Sequence, residues 1–421
     1  MKNSLRYLFS FVALFVLLVV AGCAEDASQS AGTPVTIGED PGATINEILD
    51  IPERFERVGR LIAILRAIPA DQIDVIPAVL DELQMPLREF ERVLLVSAWS
   101  KVDPEAATKW AMRKERNELL RSTMFSETAY AWALKDPESI RTDFKVGMYS
   151  LRGWDPTMLR GFVRGWFDSG EPDLESFIRD LGRAGDDRQR AISELVKIKS
   201  EQESPDALIA WATGLSGEVR YRAYVYSRVA ADIAAIDPAL AVAWCNEVCD
   251  SKVGEDMPHW IASSWVRNAG AEAMDWIIAQ PDSPSVRVGL RASYRRFLMS
   301  APEEADAWLE KFSKEKLAGL LLQGPVIMYA NRQSNLGRNE VAIEWTELIE
   351  NDWERERSLT TIARRWLRRD AETAEGWLTG TTALSDVVKT NLRKKHTEDE
   401  ARALKTREQN AARPSWVVDE S

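Results

Sequence analysis

Histidine is nearly missing from this chain of 421 residues: its two copies, His259 and His396, stand far apart. A Ser/His/Asp centre or a zinc site needs histidine at set spacing, so both lose almost all their candidates. Cysteine is scarce as well, with three residues and no Cys-x-x-Cys pair. There is no His-Glu-x-x-His, no Gly-x-Ser-x-Gly and no Gly-rich phosphate loop. Positive charge is in deficit, since 54 Lys and Arg against 66 Asp and Glu leave a formal net charge of −12. A chain this acidic is a poor general ligand for nucleic acid or anionic lipid headgroups. Strand-like alternation is nowhere sustained, which points away from a sheet protein. Carboxylates are plentiful, so residue type alone leaves a two-carboxylate glycosidase open.

What is present begins with an address. Lys2 and Arg6 precede an apolar run from Tyr7 to Val20, broken only by Ser10, and then Ala21-Gly22-Cys23. Residues 1–22 read as a secretion signal, too short and too abruptly ended for a membrane-spanning helix. From residue 23 to 43 the chain is rich in Ala, Ser, Gly, Pro and Thr with several acids and no apolar period, the composition of a flexible tether. Ordered structure is expected from near Thr44, which forms a capping box with Glu47, a device that Asp50 and Glu53 repeat.

Residues 44–382 then follow a ruler. From an anchor at Trp99, Asp103-Pro104 lie four and five positions on, Ala107 eight and Trp110 eleven. The same offsets recur from Trp132, Trp166, Ser200, Ile233, Trp265, Phe297, Ser334 and Trp366, at intervals of 32 to 37 residues. A degenerate tenth unit starts at Ile64, with Pro69 and Val75. Twelve of the sixteen tryptophans fall on the anchor or the plus-eleven position, so packing, not ligand stacking, accounts for them. Asp at plus four suits a helix cap and Pro at plus five suits the first helical position. Plus eight and plus eleven share one face of the second helix, where a small residue admits the first helix and a large ring fills the space beyond. The fold class expected is therefore all-α: an α-solenoid of nine to ten two-helix repeats, each too small to bury both faces alone. Residues 383–421 read as a capping helix and tail.

Two resemblances accompany these residues. Val20-Ala21-Gly22-Cys23 resembles the lipobox of bacterial lipoproteins, which implies lipidation of Cys23 and, with Ala24 after it, an outer-membrane anchor facing the periplasm. The period and the two-helix unit resemble the tetratricopeptide and related helical-hairpin repeats in architecture, although the family consensus order is not reproduced. Here Asp-Pro divides the two helices of a unit.

Function is to be sought where the ruler fails. The off-register aromatics are Trp154, Trp260, Trp353 and Trp416, and the 37-residue interval holds an irregular stretch from Leu320 to Arg338 that reads as a loop. Arg364, Arg365, Arg368 and Arg369, with Arg393-Lys394-Lys395, make the C-terminal end locally basic. Binding candidates are thus Trp154, Trp260, Trp353 and the four arginines. Cys245 and Cys249, four apart in Trp-Cys-Asn-Glu-Val-Cys, read as small core residues. An oxidising compartment permits a disulfide, but side chains one turn apart on a regular helix suit bridge geometry poorly, and no metal-ligand set is visible. The expectation is a non-enzymatic scaffold for a protein or peptide partner in the periplasm, without cofactor or nucleic acid. The alternative is a secreted all-helical enzyme acting on polysaccharide or peptidoglycan.

Overall fold

The computed structural model describes residues 40–82, 89–115, 117–146, 156–181, 186–319 and 321–411. Cys23, Trp154 and Trp416 lie outside them. Every regular element among the described residues is helical, and these helices pack in pairs as an all-α helical-repeat fold. The chain forms two compact units, one up to residue 148 and one from residue 149.

The corner between the two helices of a pair is set by local chemistry. The anchor carbonyl accepts from the amide four residues on: Trp99 from Asp103 at 3.0 Å, Trp132 from Asp136 at 2.8 Å, Ile233 from Asp237 at 2.7 Å and Trp366 from Asp370 at 2.9 Å. The plus-four side chain then caps the second helix. Asp103, Asp237 and Asp370 accept from the amides of Ala106, Leu240 and Thr373, and Ser204 does the same for Ala207. Ala269 and Ala301 adopt nearly the same backbone angles as Asp103, Asp237 and Asp370 without a capping side chain. The corner is thus a backbone shape, and aspartate is its preferred occupant.

The seam follows. At all nine plus-eight positions, from Ala107 and Ile140 to Ala342 and Ala374, the side chain is buried. Six of the nine are alanine at full burial against the first helix. Beyond them the rings meet: Trp265 and Trp276 at 6.2 Å between centroids, Trp366 and Trp377 at 6.1 Å, Trp166 and Phe177 at 5.3 Å. Truncating a fully buried one, Trp166, to alanine costs about 3–5 kcal/mol.

In the first unit the leading helices Arg54–Ala67, Glu89–Ser100 and Glu118–Lys135 pack on one another in order. They alternate with trailing helices Val75–Glu82, Pro104–Lys114 and Pro137–Val146. A further helix, Pro41–Leu49, precedes them and starts at Asp40, whose Oδ1 accepts from Ala43 N at 3.1 Å. Glu53, not Asp50, caps the helix that follows, accepting from Phe55 N at 2.9 Å.

In the second unit the leading helices are Pro156–Ser169, Asp187–Gln202, Val219–Ala234, Met257–Trp265, Pro284–Ser300, Gln323–Asn335 and Asp352–Arg369. Each packs on the next, and Asp386–Ala411 covers the last, burying Leu392 beside Leu367 and Leu378. Two glycines permit close approaches between neighbouring helices. A Cβ on Gly289 would stand 2.8 Å from His259 Cα, and one on Gly270 2.3 Å from the Phe297 ring.

Two expectations are corrected. Most of the stretch from Leu320 to Arg338 is not a loop: Gln323–Asn335 is a full leading helix, with Gln333 and Ser334 buried. The extra residues lie just before it, where a short helix, Lys314–Ala318, seats Leu317 in the core. Cys245 and Cys249 form a disulfide, with Cα atoms 4.9 Å apart. The helix Pro238–Val248 ends one residue before Cys249, so that cysteine is a cap and not a mid-helix residue.

Candidate functional site

Charge in the second unit is sorted by helix. Its seven leading helices carry 20 Arg and Lys against 8 Asp and Glu. The seven trailing helices carry 14 Asp and Glu against a single basic residue, Arg179. The first unit shows no such sorting, since its trailing helix Pro104–Lys114 is itself net basic. Packing does not demand this division, because both helix types have exposed faces on which either sign is soluble.

Some of the leading-helix cations have structural work. Arg296 donates to Ser263 O at 2.7 Å, Arg365 to Asn331 O at 3.3 Å and Arg369 to Ser334 O at 2.8 Å, each reaching the carbonyl end of the preceding leading helix. Cations there meet the last carbonyls and the negative end of the helix dipole. Arg332 pairs with Asp306 on a trailing helix at 2.9 Å. Others remain unspent: Arg267, Arg291, Arg295, Arg364 and Arg368 are exposed and have no partner among the described residues. Burial, together with the like charges of Arg267 and Arg295, pushes the Arg296 guanidinium below its ordinary range.

The same face opens into a groove of about 590 Å³ across the first three leading helices of this unit. Arg160 comes from Pro156–Ser169; Gln189, Arg190, Glu194 and Lys197 from Asp187–Gln202; Arg228 from Val219–Ala234. Glu194 lines the groove yet is only 7% exposed, and it makes no hydrogen bond or ion pair among the described residues. Burial pushes its carboxyl above the usual carboxylate range, against the pull of Lys197, Arg164 and Arg160. Arg228 is held by Asp232 at 2.9 Å and Arg190 by Asp186 at 3.2 Å, whereas Arg160 is exposed and unpaired. The arrangement is a cationic rim over a desolvated acceptor, suited to an anion that also brings a hydrogen-bond donor.

No family model, curated protein or solved structure matches this chain.

The expected binding residues are only partly brought together. Trp260 is 37% exposed and stacks on His259, with centroids 5.1 Å apart. Trp353 is 65% exposed and carries the Arg357 guanidinium 5.2 Å above its ring. Two leading helices stand between them, so the two rings do not line one groove. The four C-terminal arginines divide by role: Arg365 and Arg369 cap carbonyls, while Arg364 and Arg368 face solvent one turn apart. Arg393 is paired with Glu375 at 2.7 Å and adds no free charge. Among the described residues no cluster is placed to hold a metal ion, and no helix is long and apolar enough to cross a membrane. Sequence reasoning missed Arg160, Glu194 and Arg228. The charge of each helix counted by its place in the pair carries a signal for Arg160 and Arg228 and none for the acidic Glu194.

Proposed function

We propose that this protein is a non-enzymatic scaffold, tethered to the outer membrane by lipid on Cys23, whose leading-helix face binds an acidic region of a protein partner in the periplasm. The observation that carries the reading is the sorted charge of the second unit, with arginines left unpaired on the leading helices. Grouped cations without counter-ions repel one another, and an anionic partner relieves that repulsion on contact.

Crosslinking in cells followed by purification tests the partner. The wild-type chain is expected to bring down one or a few acidic envelope proteins, and a variant with Arg291, Arg295, Arg364 and Arg368 all changed to Glu is expected to lose them. An unchanged set of captured proteins would remove the face from consideration. The anchor is tested separately: Cys23→Ala should leave the membrane fraction and stop incorporating labelled palmitate. Label that persists in the variant would overturn lipidation at Cys23.

A further inference from the structure

We infer that the groove over Glu194 is the specificity pocket of this face, taking an extended acidic peptide segment of the partner. Its carboxylates would meet Arg160, Lys197 and Arg228, and a backbone N–H would donate to the Glu194 carboxyl. The inference rests on the scaffold reading above and adds the place and chemistry of recognition. Three observations carry it. The groove is open and has a volume of about 590 Å³, room for an extended segment lying along the surface. The rim holds four basic side chains from three successive leading helices, so a ligand following them must be elongated. The floor is Glu194, 7% exposed, whose carboxyl takes no hydrogen bond from the protein, so a ligand N–H can bond to it without displacing a protein donor.

Each feature discriminates. A small inorganic anion satisfies the rim but offers no donor to Glu194. A basic peptide satisfies Glu194 and is repelled by the rim. An acidic glycan brings both charge and hydroxyl donors, but lacks the repeating amide N–H. Arg228 is already bonded to Asp232, so its guanidinium is held in one place. Arg160 has no such partner and is free to follow the ligand. Gln189, bonded to Tyr224 of the next leading helix, closes one side of the groove.

The test uses the full-length chain in detergent and a fluorescein-labelled peptide of about ten alternating Glu and Gly residues, read by anisotropy. Binding is expected and should weaken steeply as salt rises, as screening requires. Arg160→Glu with Arg228→Glu should weaken it at least tenfold; if that variant is not helical by circular dichroism, Arg160→Ala with Lys197→Ala should weaken it several-fold. Lys252→Glu with Lys405→Glu, both exposed and neither on a leading helix nor lining the groove, should leave peptide affinity unchanged. Replacing each Gly of the peptide by sarcosine removes N–H donors without altering charge. That analogue should bind the wild type several-fold more weakly than the parent, and should bind Glu194→Leu no differently from the parent. Equal affinity for an acidic oligogalacturonate, equal affinity of the rim variants, or no sarcosine effect on the wild type overturns the pocket. If the peptide fails while the crosslinked partner is still lost in the four-arginine variant, the groove is wrong and the scaffold reading stands.

Discussion

Trp308 donates its indole Nε1 to Asp275 Oδ1 at 2.8 Å, joining two consecutive trailing helices across one repeat. Trp211 donates to Glu175 at 2.8 Å in the same sense, and Trp110 to Asp81 at 3.3 Å. The plus-eleven ring therefore does more than fill space: it ties its pair to the one before. Trp244 occupies the same position and is buried, but its Nε1 has no partner. The reason is one side chain: the residue before Trp276 is Asp275, and the residue before Trp211 is Ala210.

Ala210→Asp is accordingly expected to stabilise the protein by about 1 kcal/mol, supplying Trp244 with a charged acceptor at the price of slightly poorer helix propensity. Asp275→Ala, which strips both Trp308 and Lys311 of their acceptor, is expected to destabilise it by a similar amount. Urea midpoints decide this; a midpoint for Ala210→Asp at or below wild type sinks the idea.

Gly270 sits where other units carry the proline of Asp-Pro, and the Phe297 ring of the next anchor lies directly over it. A methyl group there would fall inside van der Waals distance of three ring atoms, in a place where Phe297 is almost fully buried. Gly270→Ala should therefore cost roughly 1–3 kcal/mol despite alanine's better helix propensity. A thermal midpoint equal to wild type would show that the ring has room to move.

Glu194 makes stability depend on pH in a defined direction. Its folded-state carboxyl titrates above the ordinary value of 4.5, so the fold favours the protonated form. That contribution is fully present below 4.5 and is lost as pH rises through the raised value. Glu194→Gln has no such loss, so its urea midpoint should match wild type in acid, gain on it across that window, and keep a constant lead above it. A lead that grows toward acid would reverse the assignment.

The disulfide closes a very short loop, so Cys249→Ser should cost no more than about 2 kcal/mol. With Cys23 acylated, denatured protein should show no titratable thiol until reductant is added, and then two. A free thiol before reduction would place Cys245 and Cys249 in the reduced state.

The repeat was legible because one register served three purposes at once: the Asp103-type cap, the Ala107-type contact and the Trp110-type filler each predicted the others. What was illegible depended on where a helix stops. Cys245 and Cys249 read as neighbours on a continuous helix, but Cys249 is the cap after its last residue, and its Cα stands 4.9 Å from that of Cys245, within the range a bridge spans. Likewise Leu320–Arg338 looked irregular because Gln-Gly-Pro breaks propensity, although Gly324 and Pro325 fall in the first turn of the helix, where a proline loses no hydrogen bond. The groove was hidden for a different reason. Arg160, Glu194 and Arg228 belong to three helices, and no single stretch of sequence brings them together.

The sorted charge has a range as well as a pattern. Screening at physiological salt confines it to about 8 Å from the surface. Beyond that distance the molecule's net negative charge is screened too, so an acidic visitor is neither drawn in nor held off until it is close. The arginines become perceptible at near contact and only from the leading-helix side. An acidic partner is therefore chosen by orientation before it is held by attraction, and molecules arriving from any other side are turned away.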